Sequence, residues 1–429
     1  MMMSRLDCQR LDDEDPLATL RELFALPAGV IYLDGNSLGA LPRAAAARVQ
    51  QVVGAEWGLE LIRGWNKAGW IDLAQSVGNK IARLVGADDG ELVVADSTSV
   101  NLFKVMSVAL NLARADSPDR DIILSERHNF PTDLYIAESL ARERGLELRL
   151  VDAGGISAQL TDRVAVLMLT HVNYRDGRMH VMPEMNRAAH AAGAMVVWDL
   201  AHSAGVLPVD LKGSGPPDEA ADFAVGCGYK YLNGGPGAPA FVWAHPKHIA
   251  RMDAQQLGQP LSGWLGHAAP FEFAADYRPG EGIARFICGT PPILTLAALE
   301  CGVDTLLAAE ALGGLPALRR KSLALTELFI LLVDAHCYDQ GLVLRTPRDS
   351  RMRGSQVSYA RADGACAIMQ ALLARNVIGD FRAPDVIRFG FAPPYTRYID
   401  VWDAVEHLRQ VLESGEWREA RYGERAVVT

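Results

Sequence analysis

The sequence predicts an α/β protein in two parts: a large domain whose mostly parallel sheet is sandwiched by helices, and a smaller C-terminal α/β domain. Three observations predict it. Short apolar runs alternate with helical patterns from about residue 90 to 225, the pattern of a parallel sheet with helices on both faces. Chemically distinctive residues fall at or just past the ends of those runs, where ligands gather in such sheets. At 429 residues the chain exceeds what one core ordinarily holds. The expected division is an N-terminal segment over 1–45 that packs on the small domain, a large domain over 46–292 and a small domain over 293–429.

Residues 12–26 carry Leu17, Leu20, Leu23 and Phe24 at helical spacing and stop at Pro27. Residues 30–33 form a short strand that breaks into the turn Asp34-Gly35-Asn36. That turn is either an ordinary loop or a segment closing over a substrate, with Asn36 as its contact. Pro42 suits the first position of the next helix, which runs to about Trp57. In residues 59–70, Trp65 and Trp70 are aromatic anchors of a surface loop or a wall for a planar substrate. Residues 73–85 form a helix closed by Gly86.

Residues 91–95 form a strand, and Asp96-Ser97-Thr98-Ser99 opens a helix to about Ala113. Hydroxyls there cap the helix, contact a phosphate, or divide the two tasks. The strand over 121–124 leads to a second helix start at Phe130-Pro131-Thr132-Asp133, where Phe130 is either core or stacked on a cofactor ring. Strands follow at 146–151 and at 164–169, which ends at Thr170. A helix over 185–192 precedes strands at 194–198 and 223–225, and residues 238–243 form another despite Pro239. The glycine- and proline-rich stretch over 255–290 is marked as ordered and functional by Trp264, Phe271, Phe273 and Phe286. A helical region broken near Gly313 follows, with strands at 353–359 and 386–389 and helices at 362–373 and 400–412.

The formal net charge of −10 and pI near 5.5 argue against nucleic acid or an anionic membrane as partner. No apolar run approaches the roughly 18 residues of a membrane span, and no signal or transit peptide is expected. The six cysteines are dispersed, without zinc-type spacing, as in a reduced cytoplasmic protein that holds no metal. There is no P-loop, H-E-x-x-H or G-x-S-x-G, and the run from Gly226 to Tyr231 lacks the last glycine of a dinucleotide fingerprint.

Asp199 ends a buried-type strand, and Lys230 sits in a glycine-rich turn after the next. Pyridoxal phosphate uses a carboxylate to keep its ring nitrogen protonated and a lysine amine to hold it covalently. Arg388, alone in the apolar run DVIRFGFAPPY, is either a structural ion pair or a clamp for the carboxylate of a small amino-acid substrate.

With those residues in hand, the chain resembles the fold-type-I pyridoxal phosphate enzymes, aminotransferase class V-like, and within them the kynureninase family. The resemblance is carried by YLDGNSLG (32–39), Ser97-Thr98, FPTD (130–133), WDLAHSAG (198–205), GYKYLNGGPG (228–237), LSGWLGH (261–267) and IRFGFAPPY (387–395). It implies the type-I transferase fold, with a large-domain sheet of about seven strands. It also implies that Lys230 holds the cofactor and shuttles the substrate Cα proton, that Asp199 pairs with the ring nitrogen and that Phe130 stacks on the ring. Ser97, Thr98, Asp133, Thr170, His202 and Tyr229 would complete the cofactor shell. Trp264 and Thr290 match positions that reach the cofactor of a neighbouring subunit, which implies a homodimer with shared active sites. Arg388 would bind the substrate α-carboxylate, with Trp65 and Asn36 as further substrate contacts.

The implied reaction is hydrolysis of L-kynurenine to anthranilate and L-alanine in tryptophan catabolism, with Tyr229 as the acid that protonates the alanyl fragment. Trp65 and Thr290 stand where relatives preferring 3-hydroxykynurenine look more polar, which implies a preference for kynurenine. The rival is a cysteine desulfurase or β-eliminating relative of the same fold. Those resemble the chain in the Asp…Lys pair but place His before the lysine and need a reactive cysteine. Here Tyr229 precedes Lys230, and Cys337 and Cys366 lie in apolar or helical surroundings. A non-catalytic binding protein would be free to lose Lys230, Asp199, Tyr229 or Arg388, and all four are present.

Overall fold

Seven strands form the central sheet of the computed structural model, which describes residues 3–423. Residues 1–2 and 424–429, the outer ends of the expected first and last segments, lie outside the described residues. The first helix, α1 (Arg5–Asp13), opens on a capping box in which Ser4 and Asp7 satisfy each other's backbone N–H. The helix expected over 12–26 is displaced, because Pro16 disfavours helical backbone at Asp15. A 3₁₀ segment, Ala18–Leu23, follows and still buries Leu17, Leu20 and Phe24.

β1 (Ile31–Tyr32) pairs in parallel with Val377–Ile378, far along the chain. α2 (Arg43–Gln51) is capped by Pro42, which lies just outside it with extended ψ, and passes into a wider π-helical stretch, Val52–Trp57. α3 (Gly64–Lys67) precedes α4 (Trp70–Val85), which ends at Gly86 with φ +68°, the left-handed closure expected of glycine.

The large unit then alternates: β2 (Leu92–Val94), α5 (Thr98–Asp116), β3 (Ile122–Glu126), α6 (Pro131–Arg144), β4 (Glu147–Val151), α7 (Ile156–Gln159), β5 (Val164–Thr170), α8 (Met182–Ala191), β6 (Met195–Asp199), β7 (Phe223–Gly226), β8 (Phe241–Ala244) and α9 (Pro246–Ala254). The sheet order is β2-β8-β7-β6-β5-β3-β4, with β8 antiparallel to both neighbours. β8 starts at Phe241, leaving Pro239 outside: a strand paired on both edges has no place for a residue lacking an N–H. Register sets Thr170 beside Asp199 and Asp199 beside Val225, so functional side chains leave the sheet at one level.

The stretch over 255–290 is ordered by 3₁₀ turns (Trp264–Gly266, Pro270–Glu272, Gly282–Phe286). The buried Arg285 guanidinium donates to Leu257 O at 2.9 Å, and the Lys104 amine donates to Phe286 O at 2.6 Å. Phe286 is buried, whereas Trp264, Phe271 and Phe273 are exposed.

The rest comprises α10 (Ile293–Leu307), α11 (Gly314–His336), β9 (Val343–Leu344), β10 (Gln356–Ala360), α12 (Ala365–Ala374), β11 (Val377–Ile378), β12 (Asp380–Arg382), β13 (Val386–Gly390) and α13 (Tyr398–Ser414). An antiparallel sheet runs β12-β13-β10-β9. One apolar cluster surrounds the large sheet and includes Leu296, Leu299 and Val303 of α10. The other gathers Leu325, Phe329 and Val333 of α11 with Tyr359, Phe389, Cys8 and Leu33. α1 lies along α13, and Asp12 accepts the N–H groups of Tyr398 and Ile399 at 2.7 and 2.9 Å, an acid at a helix N-terminus.

Candidate active site

A cavity of ≈ 220 Å³ opens at the carboxyl ends of β5, β6 and β7 and the N-termini of α5 and α6. Ser97, Thr98, Phe130, Asp133, Thr170, Asp199, His202, Tyr229 and Lys230 all line it. The turn carrying Lys230 is dictated locally: a Cβ at Gly228 would run into Pro239 O, and Asn233 returns its N–H to Lys230 O at 2.9 Å. Lys230 Nζ lies 2.9 Å from His202 Nε2, 6.0 Å from the centre of the Phe130 ring and 5.8 Å from that of Tyr229.

Electrostatics divides the titratable groups by role. Asp133 is pushed well above the usual carboxylate range, first by burial and then by the Asp199 charge. Asp199 is also raised by burial, but the Lys230 ammonium and the Ala201 N–H, 2.8 Å from Oδ1, favour its ionised form. Asp133 therefore holds the proton and Asp199 the charge. Burial and the nearby Lys230 keep His202 neutral, and its Nδ1 is buried without a hydrogen-bond partner. Burial raises the Tyr229 hydroxyl above its ordinary value, so it remains a proton donor.

Ser97 is the N-cap of α5, its Oγ accepting the Val100 N–H at 3.3 Å, and Thr98 is the first helical residue. Both residues line the cavity beside the positive end of a 19-residue helix. Thr170 donates to Asn129 Oδ1 and approaches Asp133 Oδ2 at 3.4 Å. The same Asn129 oxygen accepts the Phe130 N–H at 2.7 Å, while its amide donates to Ser125 Oγ at 3.1 Å. Asn129 thus ties Phe130 and Thr170 together, a part that sequence reasoning missed. An asparagine just before a helix reads simply as a turn residue. Tyr174, edge-on to Phe130 at 5.3 Å, was missed too.

Arg388 does not line the cavity. Its buried guanidinium donates to Asp380, to Ser37 Oγ and to the backbone oxygen of Tyr174. Asn36 is fully buried with neither amide atom hydrogen-bonded, and a Cβ at Gly390 would run into its Oδ1. Asn36, Trp65, Trp264 and Thr290 likewise fall outside the cavity lining within this one chain. Trp65 packs edge-on against Trp70 at 6.1 Å, and Trp264 against Phe271 at 5.8 Å. Thr290 is exposed on an adjoining cavity of ≈ 220 Å³ that shares Asp96 and Gly237 with the first.

The donor set suits pyridoxal phosphate. A lysine amine, a charged carboxylate on a rigid strand, hydroxyls at a helix N-terminus, an aromatic face and an orphaned buried imidazole nitrogen all meet in one cavity. The aminotransferase class-V family model matches residues 31–329, and the kynureninase C-terminal domain model matches 318–408. A kynureninase from Burkholderia pseudomallei (strain 1106a) is 53% identical over 431 residues, covering 100% of both chains. The chain belongs to the kynureninase family. A kynureninase from Pseudomonas fluorescens is 52% identical over the same span. The kynureninase family depends on pyridoxal phosphate, in keeping with the chemistry expected of Asp199 and Lys230.

Solved structures give the fold. A cysteine desulfurase from Thermococcus onnurineus NA1 superposes with a TM-score of 0.74 at 19% identity, covering 92% of this chain and 98% of that one. One from Escherichia coli gives 0.73 at 20%, covering 93% and 98%. The mostly parallel sheet flanked by helices is thus the type-I fold. The thiols do not support desulfurase chemistry: burial raises that of Cys337 to about 12, and Cys227, the cysteine at the cavity, is buried and raised as well.

Proposed function

We propose that this chain hydrolyses L-kynurenine to anthranilate and L-alanine with pyridoxal phosphate as cofactor. The observation that carries this is the convergence of Lys230, Asp199, His202 and Tyr229 in one cavity of a chain 53% identical to a kynureninase over its whole length. The cofactor supplies an electron sink next to the substrate Cα. Lys230 would hold it through Nζ, and the same amine would carry the substrate Cα proton. Neutral His202, 2.9 Å away, receives that amine without adding a competing charge. Asp199 sets its charge against the ring nitrogen, and Asp133, by keeping its proton, spares it a like-charged neighbour. Ser97, Thr98 and the α5 N-terminus would hold the phosphate, and Phe130 would offer its face to the ring. Water would add to the substrate γ-carbonyl, the Cβ–Cγ bond would break to release anthranilate with the water oxygen in its carboxylate, and Tyr229 would give its proton to the alanyl Cβ. Arg388 binds the α-carboxylate, and Asn36 and Trp65 complete the substrate contacts.

The same proposal includes a homodimer with shared active sites. Trp264 and Thr290 lie apart from their own chain's cavity and would serve that of a second copy. Exposed Trp57, Leu59, Leu61 and Ile62, with Phe271 and Phe273, offer the apolar surface such a contact needs. Two units are proposed from the two larger apolar clusters, over 46–292 and 293–429, with the buried residues of the N-terminal segment divided between them: Leu17, Leu20 and Phe24 in the larger, Cys8 and Leu33 in the smaller. Cytoplasmic tryptophan catabolism fits six unpaired cysteines, and no helix among the described residues is long and apolar enough to cross a membrane.

The test is anthranilate fluorescence from L-kynurenine and purified protein. Release that requires pyridoxal phosphate and yields equimolar alanine is expected; a cofactor-loaded protein with no release overturns the proposal. A second assay addresses specificity. If assembly brings Trp65 and Thr290 to the pocket, they form a less polar pair than relatives preferring 3-hydroxykynurenine carry, so kcat/KM for 3-hydroxykynurenine should be lower by about tenfold. Equal values for the two substrates would remove Trp65 and Thr290 from the specificity account.

A further inference from the structure

Arg388 lies on β13, and Asp380 faces it across the antiparallel pair with β12. The Asp380 carboxylate is fully buried and takes two donors of the guanidinium, Nε at 2.9 Å and Nη2. Ser37, in the loop after β1, closes the same side. Its Oγ accepts from Arg388 Nη2 at 2.9 Å and donates to Asp380 Oδ2 at 2.7 Å. The remaining nitrogen, Nη1, donates to the backbone oxygen of Tyr174, a residue that lines the Lys230 cavity. One side of the guanidinium is therefore locked by side chains, and the other meets a main-chain oxygen at the cavity wall.

We propose that Asp380, with Ser37, is a positioning residue that turns the Nη1 edge of Arg388 to the substrate α-carboxylate, which takes the place of the Tyr174 carbonyl. This rests on Arg388 being the carboxylate clamp. A guanidinium recognises a carboxylate through a planar, directed pair of donors, so its orientation governs affinity as much as its charge. Charge alone would work the other way, since an acid beside the clamp competes with the incoming carboxylate. The cluster limits that competition. Arg382 also donates to Asp380 Oδ2, at 2.8 Å, and Asp34 nearby is kept neutral by burial and by the Asp380 charge. Two guanidinium groups then share one ionised carboxylate, leaving positive charge for the substrate.

The experiment uses the cofactor-loaded enzyme and two matched competitive inhibitors, a 4-aryl-4-oxobutanoate and its carboxamide. Arg388→Gln, the reference, should abolish the preference for the carboxylate. Asp380→Asn should raise KM by about tenfold or more and remove most of that preference, with kcat held within about threefold. Ser37→Ala, which deletes one loop hydroxyl, should act in the same direction more weakly, and Ser37→Thr should restore the wild-type values. Those loop variants carry the test should Asp380→Asn fail to fold. The proposal is overturned if Asp380→Asn lowers KM or keeps the carboxylate preference while Arg388→Gln loses it. It is equally overturned if the variants weaken both inhibitors alike, which is general loosening. Retention of the preference in Arg388→Gln would defeat the clamp assignment itself.

Discussion

In the proposed reaction Lys230 carries two burdens at one atom, since Nζ would hold the cofactor and then move a proton. Lys230→Ala should lose turnover and the absorbance of the lysine-bound cofactor, while its thermal unfolding stays near wild type. Residual turnover at the wild-type rate would refute the assignment. Asp199 contributes a fixed charge from a strand end, 4% exposed and held by the Ala201 N–H. Asp199→Asn keeps the shape and deletes the charge, so kcat should fall on the order of a hundredfold or more, with a smaller loss in cofactor affinity. An unchanged kcat in steady-state assays would contradict that role. At this scale the sequence was informative where chemistry and position coincide. Thr170 and Asp199 end strands, and Phe130 and Asp133 follow one, so the alternation alone gathered them. Asn129 and Asp380 were not legible, because what they do depends on partners brought close only by the fold: Thr170 for one, Arg388 for the other.

Among elements, strands with a strong apolar run were readable to within a residue or two, as β5 and β6 show. β9, β11 and β12 span only two or three residues each, too few for any period to appear. The docking of elements rests on polar contacts that no period records. Buried Asp222 accepts from His190 of α8 at 2.8 Å, from His248 of α9 at 2.7 Å and from the Val196 N–H of β6 at 2.8 Å. Burial alone would raise its carboxyl, yet the two histidines hold it well below the usual range. Its stabilisation is therefore present above the ordinary carboxylate range and lost as pH falls through the lowered value. His190 is opposed by burial but raised by Asp222, so its share is present below the ordinary histidine value and fades as pH rises through the raised one. Asp222→Asn should cost ~3–5 kcal/mol in denaturant unfolding near weakly acidic pH. The gap should narrow towards alkaline pH and close in strong acid. A gap independent of pH would show that packing rather than charge ties these elements.

At the scale of the whole molecule, the unfinished part is the surface. The cavity around Lys230 lacks Trp264 and Thr290 from its own chain, while Leu59, Leu61, Ile62, Phe271 and Phe273 stand exposed. A second copy would satisfy both facts at once, since a two-fold contact places each chain's excursion against the other's cavity. Light scattering should then report twice the 46.5 kDa chain mass, and Ile62→Glu should lower that mass and the activity together. Sharing of sites has a sharper signature. In a mixture of Lys230→Ala and Trp264→Ala chains, each poorly active alone, exchange into mixed dimers rebuilds one site with both native residues. Random pairing of equal amounts should recover about a quarter of wild-type activity, because half the dimers are mixed and each holds one intact site of its two. No recovery after verified exchange would mean that Trp264 serves its own chain, and that the cavity is complete without a partner.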